Sequence, residues 1–269
     1  MKNFLISKKG DSQNPTVVLL HGLLGASRNL WRIQERLSAQ GYFTIAYDQR
    51  GHGHSSLDDG KEMTIDQMAV DLFKILDNEK IEKAHLVGHS MGGRVAMLAT
   101  YLNPHRVHTL SMLDVSPKVN RLAIGTLHEI IDPLPKSFSE KKEAARFFED
   151  HIPLSGKEKI MFQQFLMSNL RKQGEQYVWV FDLNGIRKNL LHSLAIDQLP
   201  KWKQIQTPTL LMRGENSVHF SAEELKIMVN KRPAVETFQV PNAGHWIHVD
   251  NLNGTAEGLI QFLNKRKAQ

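Results

Sequence analysis

Ala84-His85-Leu86-Val87-Gly88-His89-Ser90-Met91-Gly92-Gly93 decides the fold. A short apolar run, the length of a buried strand, passes without a linker into a helical pattern that reaches Leu102, and Ser90 stands at the join. A strand-to-helix turn this tight strains the serine backbone and lifts its hydroxyl above the sheet. It leaves no room for side chains two residues before and after, where the sequence has Gly88 and Gly92. A chance Gly-x-Ser-x-Gly in a loop would lack both the strand and the helix. Ser90 is therefore a candidate nucleophile, and a helix N-terminus favours negative charge that develops beside it.

Outward from this turn, short β-branched runs alternate with helical patterns up to about residue 114 and again after about residue 207, which predicts an α/β fold built on a mostly parallel sheet flanked by helices. The expected strands are Asn3-Ser7, Thr16-Leu20, Phe43-Tyr47, Ala84-Val87, Val107-Leu113, Thr209-Met212 and Val235-Val240. The expected helices are Ser27-Gln40, Ile65-Asn78, Ser90-Leu102, Ala222-Lys231 and Leu252-Lys265. Within the second, Ile65, Met68, Ala69, Leu72, Phe73 and Leu76 keep the spacing of one apolar face. Residues 118–200 break the alternation and read as three or four helices, around Leu122-Ile131, Glu140-His151, Lys157-Leu170 and Gly185-Leu194. An all-helical insertion in an α/β chain is more simply a lid than a separate domain. This divides the chain into a core of 1–117 and 201–269 and a lid of 118–200. The lid is rich in Phe and Met; most of these side chains should form its own small core, with a few of Phe147, Phe148, Met161, Phe162 and Phe165 facing what it covers.

Two further motifs complete the chemistry that a serine nucleophile requires. His21-Gly22-Leu23-Leu24-Gly25 follows the strand Thr16-Leu20. An oxyanion needs two preorganised backbone donors, and the amides of Met91 and Leu23 are the candidates. Gly244-His245-Trp246-Ile247-His248 follows the last strand, where the order serine, acid, histidine puts the general base. His245 fits that role, His248 reads as a structural neighbour, and His89 should diverge from the serine hydroxyl.

Composition removes other classes of function. The 269 residues include no cysteine, which excludes disulfides, thiolate metal sites and a cysteine nucleophile. The net charge of +6 is spread in ones and twos among acidic residues, a solvated basic surface and not a nucleic-acid face. The first residues show no export signal and no run is long enough to span a bilayer, so a cytoplasmic protein is expected. His52 and His54 lack a third ligand at metallohydrolase spacing, so no metal is expected, and Asp48 and Arg50 read as residues that tie their turn together. No glycine pattern matches a nucleotide loop, and no cofactor is implied.

These three motifs, with Asp48-Gln49-Arg50-Gly51-His52-Gly53-His54-Ser55 after the third strand, resemble the α/β-hydrolase fold superfamily over essentially the whole chain. Leu113-Asp114-Val115-Ser116-Pro117 and Arg213-Gly214-Glu215-Asn216-Ser217 resemble the bacterial YbfF-type esterases and their mitochondrial relatives. The resemblance implies hydrolysis of a small-molecule acyl ester or thioester, acyl-CoA included, through an acyl-serine intermediate and without a cofactor. A carbon-carbon bond hydrolase, a lyase or a ligand-binding protein could be built from the same parts. The acid departs from the commonest pattern, because the strand after the lid leads into Gly214-Glu215-Asn216-Ser217 with no aspartate. Asp114 ends the neighbouring strand, keeps the chain order and matches the aspartate of the YbfF-type motif. Glu215 is the alternative.

Overall fold

The computed structural model describes residues 4–55, 60–232 and 234–267. Seven strands form the main sheet: β1 (Ile6–Lys9), β2 (Thr16–Leu20), β3 (Phe43–Tyr47), β4 (Ala84–His89), β5 (Val107–Leu113), and, after the insertion, β9 (Thr209–Gly214) and β10 (Glu236–Val240). Their order is β1-β3-β2-β4-β5-β9-β10, and only β1 runs antiparallel to its neighbour. Every side chain of β2, β3 and β4 is buried, as expected of parallel strands covered on both faces. The first strand starts later than the sequence suggests because Ile6 to Lys9 are the residues in register with β3; Asn3, the start of the expected strand, lies outside the described residues.

The covering helices follow from their apolar stripes. On one face lie α1 (Trp31–Ser38), through Ile33 and Leu37, and the last helix of the chain, Leu252–Asn264, through Leu259, Phe262 and Leu263. On the other lie α2 (Ile65–Asn78) and α3 (Met91–Leu102). The Thr64 hydroxyl caps α2 by accepting the Gln67 N–H at 3.2 Å, and Asp66 sits in its first turn, where the helix dipole favours an anion. Arg50 donates to Asp71 of α2 at 2.7 Å through Nε and 3.0 Å through Nη2, and this buried pair ties the loop after β3 to the helix.

The insertion contains α4 (Arg121–Ile131), α5 (Lys141–His151) and α6 (Gly156–Ser168), then helical turns at Leu183–Gly185, Ile186–Leu190 and Leu191–Leu194. It is not all-helical. β6 (Ser137–Phe138), β7 (Leu170–Gln173) and β8 (Gln176–Trp179) form a small antiparallel sheet, with β7 and β8 joined by a two-residue turn that Gly174 opens at φ 59°. The insertion leaves the sheet at Pro117 and returns at Gln198, whose N–H donates to the Pro117 carbonyl at 3.0 Å. Its buried side chains and those of α2 and α3 form one continuous apolar cluster. Among the described residues no helix is long and apolar enough to cross a membrane.

Candidate active site

β4, β5 and β9 are adjacent and parallel, with His89 opposite Leu113 and Leu113 opposite Met212, so their C-terminal ends line up. The next residue on β4 is Ser90 and the next on β5 is Asp114. Ser90 has φ 52° and ψ −120°, outside the helix that begins at Met91. The glycines around it are required by contact: a Cβ at Gly88 would lie 2.3 Å from the Gly92 carbonyl oxygen, and one at Gly92 would lie 2.3 Å from the Leu20 oxygen. Gly93, which the sequence reading passed over, also has to be small, since a Cβ there would come within 2.5 Å of Val115.

His245 comes from the loop after β10. Its Nε2 stands 3.1 Å from Ser90 Oγ and its Nδ1 2.9 Å from Asp114 Oδ2. Asp114 is 1% exposed, and it accepts two more hydrogen bonds, from the Gly214 N–H at 2.8 Å and from the Ser217 hydroxyl at 2.6 Å. Ser217 thus stands in the turn where the commoner arrangement has its acid, and bonds Asp114 one strand away. The exposed Glu215 faces elsewhere, accepting the Asn242 N–H at 2.8 Å. The His245 loop closes against β9 because Gly214 lacks a Cβ, which would lie 2.1 Å from the Gly244 oxygen. His89 turns away from the hydroxyl, as expected, and donates from Nε2 to the His245 carbonyl at 2.9 Å. Burial, followed by the neighbouring His248 and His245, holds the His89 pKa well below the usual histidine range, so it braces the loop as a neutral ring.

The loop after β2 is held by two more neutral histidines. His21 donates from Nδ1 to the Gly22 carbonyl at 2.8 Å and accepts the Gln49 N–H on Nε2 at 2.9 Å. His52 donates to the Arg50 carbonyl at 3.0 Å and accepts the Leu24 N–H at 3.2 Å. Burial lowers both pKa values, that of His52 to about 3. With Leu24 and Gly25 engaged internally, no hydrogen bond among the described residues uses the Leu23 or Met91 N–H, and both residues line the cavity above Ser90. Asp48 ties the neighbouring turn, accepting from the Ser27 N–H and hydroxyl at 2.8 and 2.7 Å and from the His54 N–H at 2.9 Å. Among the described residues, no group of three or more His, Asp or Glu side chains is placed to hold a metal ion.

A family model described as the alpha/beta hydrolase fold matches residues 15–252. This chain belongs to the α/β hydrolase fold family. It is 32% identical over 260 residues to a zebrafish (Danio rerio) protein named sn-1-specific diacylglycerol lipase ABHD11, covering 95% of this chain and 80% of that one. It is 28% identical over 255 residues to esterase YbfF of Escherichia coli K12, covering 93% and 94% of the two chains. A solved marine microorganism esterase superposes with a TM-score of 0.82 at 24% identity, over 97% of this chain and 99% of that one. The chain is thus a hydrolase of the esterase or lipase-like kind.

In this hydrolase the cavity, of about 220 Å³, lies between the ends of β2, β4 and β5 and the insertion. Its apolar wall is built by Ile124, Leu127 and Ile130 of α4, Phe162 and Phe165 of α6, and Trp246 beside His245. Of the five Phe and Met candidates of the insertion, Phe162 and Phe165 line the cavity. Phe147 and Phe148 do not: Phe148 is fully buried in the insertion's own core against Phe138 and Trp179, and Phe147 stacks on His151 at 4.0 Å. Met161 does not line this cavity but an adjoining recess that shares His219, His245 and Trp246 with it. The sequence reading also missed α4 as the main wall, and it missed His219. That ring lies 4.5 Å from the His245 ring and bonds Glu158 of α6 at 2.9 Å, joining the insertion to the loop after β9.

Proposed function

We propose that this hydrolase cleaves carboxylic esters and acyl thioesters, acyl-CoA included, through an acyl-serine intermediate. Ser90 is the nucleophile, His245 the general base and Asp114 the acid that orients it. What supports this most is the unbroken hydrogen-bond chain from Ser90 Oγ through both His245 nitrogens to the buried Asp114, at the floor of an apolar cavity. His245 Nε2 takes the hydroxyl proton as Oγ attacks the acyl carbon, and Asp114 stabilises the imidazolium that forms. The Leu23 and Met91 amides hold the oxyanion, a role worth roughly 10²–10³ in rate per donor. His245 then passes its proton to the leaving oxygen or sulfur, which departs as alcohol or thiol. A water that His245 deprotonates attacks the acyl-serine and releases the acid. Every step uses groups of this chain and water. Residues 118–200 act as the lid and 1–117 with 201–269 as the core, an arrangement supported by the α4 and α6 side chains that wall the cavity. The relatives named as an esterase and a diacylglycerol lipase favour an ester among the substrates these groups could serve.

The test is hydrolysis of p-nitrophenyl butyrate by the wild type and by Ser90→Ala, with mass spectrometry of the adduct formed with a fluorophosphonate. Turnover should fall by about 10⁶ and the adduct should sit on Ser90. Residual turnover within tenfold of the wild type, or an adduct on another serine, refutes the reading.

A further inference from the structure

Arg94 lies on α3 one turn beyond Ser90 and lines the same cavity. It is 6% exposed; its Nη2 donates to the Ile196 carbonyl, and its buried Nε has no hydrogen-bond partner among the described residues. Among the described residues it makes no ion pair, and the carboxylate it senses, Asp197, acts only from beyond contact. The other buried arginine, Arg50, shows the usual solution, with Asp71 bonded to two of its nitrogens. Burying a guanidinium is costly unless a counter-charge offsets the lost hydration, so a lone buried cation facing a substrate cavity needs a reason. Burial lowers its pKa to about 10, which leaves it charged at neutral pH.

The carboxylates of the cavity wall cannot supply the missing charge. Asp114 is taken by His245, Ser217 and Gly214, Glu158 by His219, and Glu224 by Ser221, in the capping box of the helix Ala222–Lys231. The remaining cation of the wall, Lys118, is exposed at the rim. We infer that Arg94 binds a carboxylate of the substrate, so that acidic monoesters or thioesters are preferred over neutral ones of equal length. Arg94 and Ser90 stand about one helical turn apart along α3 and line the same cavity, so a substrate with a short chain between its carboxylate and its scissile carbonyl is the natural one to test. A single unpaired guanidinium suits one planar carboxylate, with which it can pair through two nitrogens, better than a phosphate dianion whose second charge would stay unmatched in an apolar cavity.

This inference rests on the Ser90 reading, and the experiment separates the two. Wild type and Arg94→Met are compared on monoethyl glutarate and adipate against ethyl pentanoate and hexanoate, and on the butyrate ester of 3-hydroxypropanoic acid against propyl butyrate. The monoethyl esters carry the carboxylate on the acyl side and the hydroxypropanoate ester carries it on the alcohol side, so the favoured arm says which part Arg94 holds. The wild type should prefer one acidic arm over its neutral analogue in kcat/KM, and Arg94→Met should lower that ratio at least tenfold. A merely structural tie to Ile196 would lower all substrates together. A smaller change in ratio, or a wild type that prefers the neutral ester in every pair, overturns the inference. If Arg94→Met does not fold, glutarate must inhibit wild-type turnover of ethyl pentanoate at least tenfold better than pentanoate does; anything less overturns it. If no ester of either kind is cleaved, the hydrolase reading has failed. Arg94 is then judged alone by whether glutarate raises the melting temperature of Ser90→Ala more than pentanoate does.

Discussion

Replacing Asp114 by Asn discriminates between the two carboxylates that the sequence offers to His245. Asp114 Oδ1 accepts from the Gly214 N–H and Oδ2 from Ser217 and His245. In Asp114→Asn the amide oxygen keeps the Gly214 bond, and the NH2 group replaces Oδ2. It then donates to His245 Nδ1, which drives the imidazole proton onto Nε2, the atom that faces Ser90 Oγ at 3.1 Å and must accept from it. Asparagine tolerates the backbone at φ 52°, so the fold should survive. The wrong tautomer alone costs a triad enzyme about 10⁴ in kcat, or about 5.5 kcal/mol of barrier. Glu215→Gln keeps the oxygen that accepts from Asn242 and should change kcat less than twofold. The assay is saturating turnover of p-nitrophenyl butyrate near neutral pH, with the melting temperature of each variant recorded beside it. A folded Asp114→Asn within tenfold of the wild type, or a larger loss from Glu215→Gln, would refute the assignment.

Gly92→Ala drives a Cβ to 2.3 Å from the Leu20 oxygen and should cost roughly 1–3 kcal/mol in urea unfolding, whereas Gly125→Ala in α4, with nothing within 4 Å, should gain about 0.5–1 kcal/mol. Burial lowers the pKa of His52 from 6.5 to about 3, and those of His85 and His248 from 6.5 to about 4. Below pH 6.5 the unfolded chain takes up protons there that the folded chain refuses, so stability falls on acidification from 6.5 toward about 4. Each such group contributes a slope of about 1.4 kcal/mol per pH unit, and an unfolding midpoint that stays flat between pH 7 and 5 would contradict it. The apolar wall of Ile124, Leu127, Phe162 and Phe165 should make hexanoyl esters better substrates than acetyl esters, by up to about 0.8 kcal/mol per buried methylene. Leu127→Ala should narrow that preference, and equal kcat/KM for the two chain lengths would show that the wall does not hold the acyl group.

What could be read from the chain depended on how local the controlling contact is. The Ser90 turn was legible because the glycines that permit it touch residues a few positions away or on the adjoining strand. Asp114 was legible because neighbouring parallel strands fix where the next residue emerges. The insertion was read less well. Helical periodicity gives α5 an apolar stripe and spreads the apolar residues of α6 round the helix, but in neither does it say what those residues face, so Phe147 and Phe148 looked no different from Phe162 and Phe165. The hairpin from Leu170 to Trp179 did carry a local signal, Gly174 followed by the β-prone run Tyr177-Val178-Trp179, which the helical reading of the insertion overrode. His219 and Glu158, 61 residues apart, meet because the start of α6 lies against the loop after β9, a placement that nothing in the sequence specifies.

The backbone strain of the site is the property least visible in residue types. Of the five non-glycine residues with positive φ among the described residues, Leu24, Ser90 and Asp114 line this one cavity, at 60°, 52° and 52°. Left-handed leucine and serine cost of order 1–3 kcal/mol each and persist only where surrounding bonds over-determine them. Here each strained residue has its own N–H tied: Leu24 to His52 Nε2, Ser90 to the Leu113 carbonyl and Asp114 to the Met212 carbonyl. The last two ties run from strand to neighbouring strand, so the sheet itself fixes the spacing of hydroxyl and carboxylate. The first depends on a side chain, and His52 can accept it only while neutral. His52, one of the two histidines considered as metal ligands, thus holds the loop after β2: protonating it would remove the acceptor that holds Leu24 and, on the proposed mechanism, let the Leu23 amide drift from the place where charge would develop.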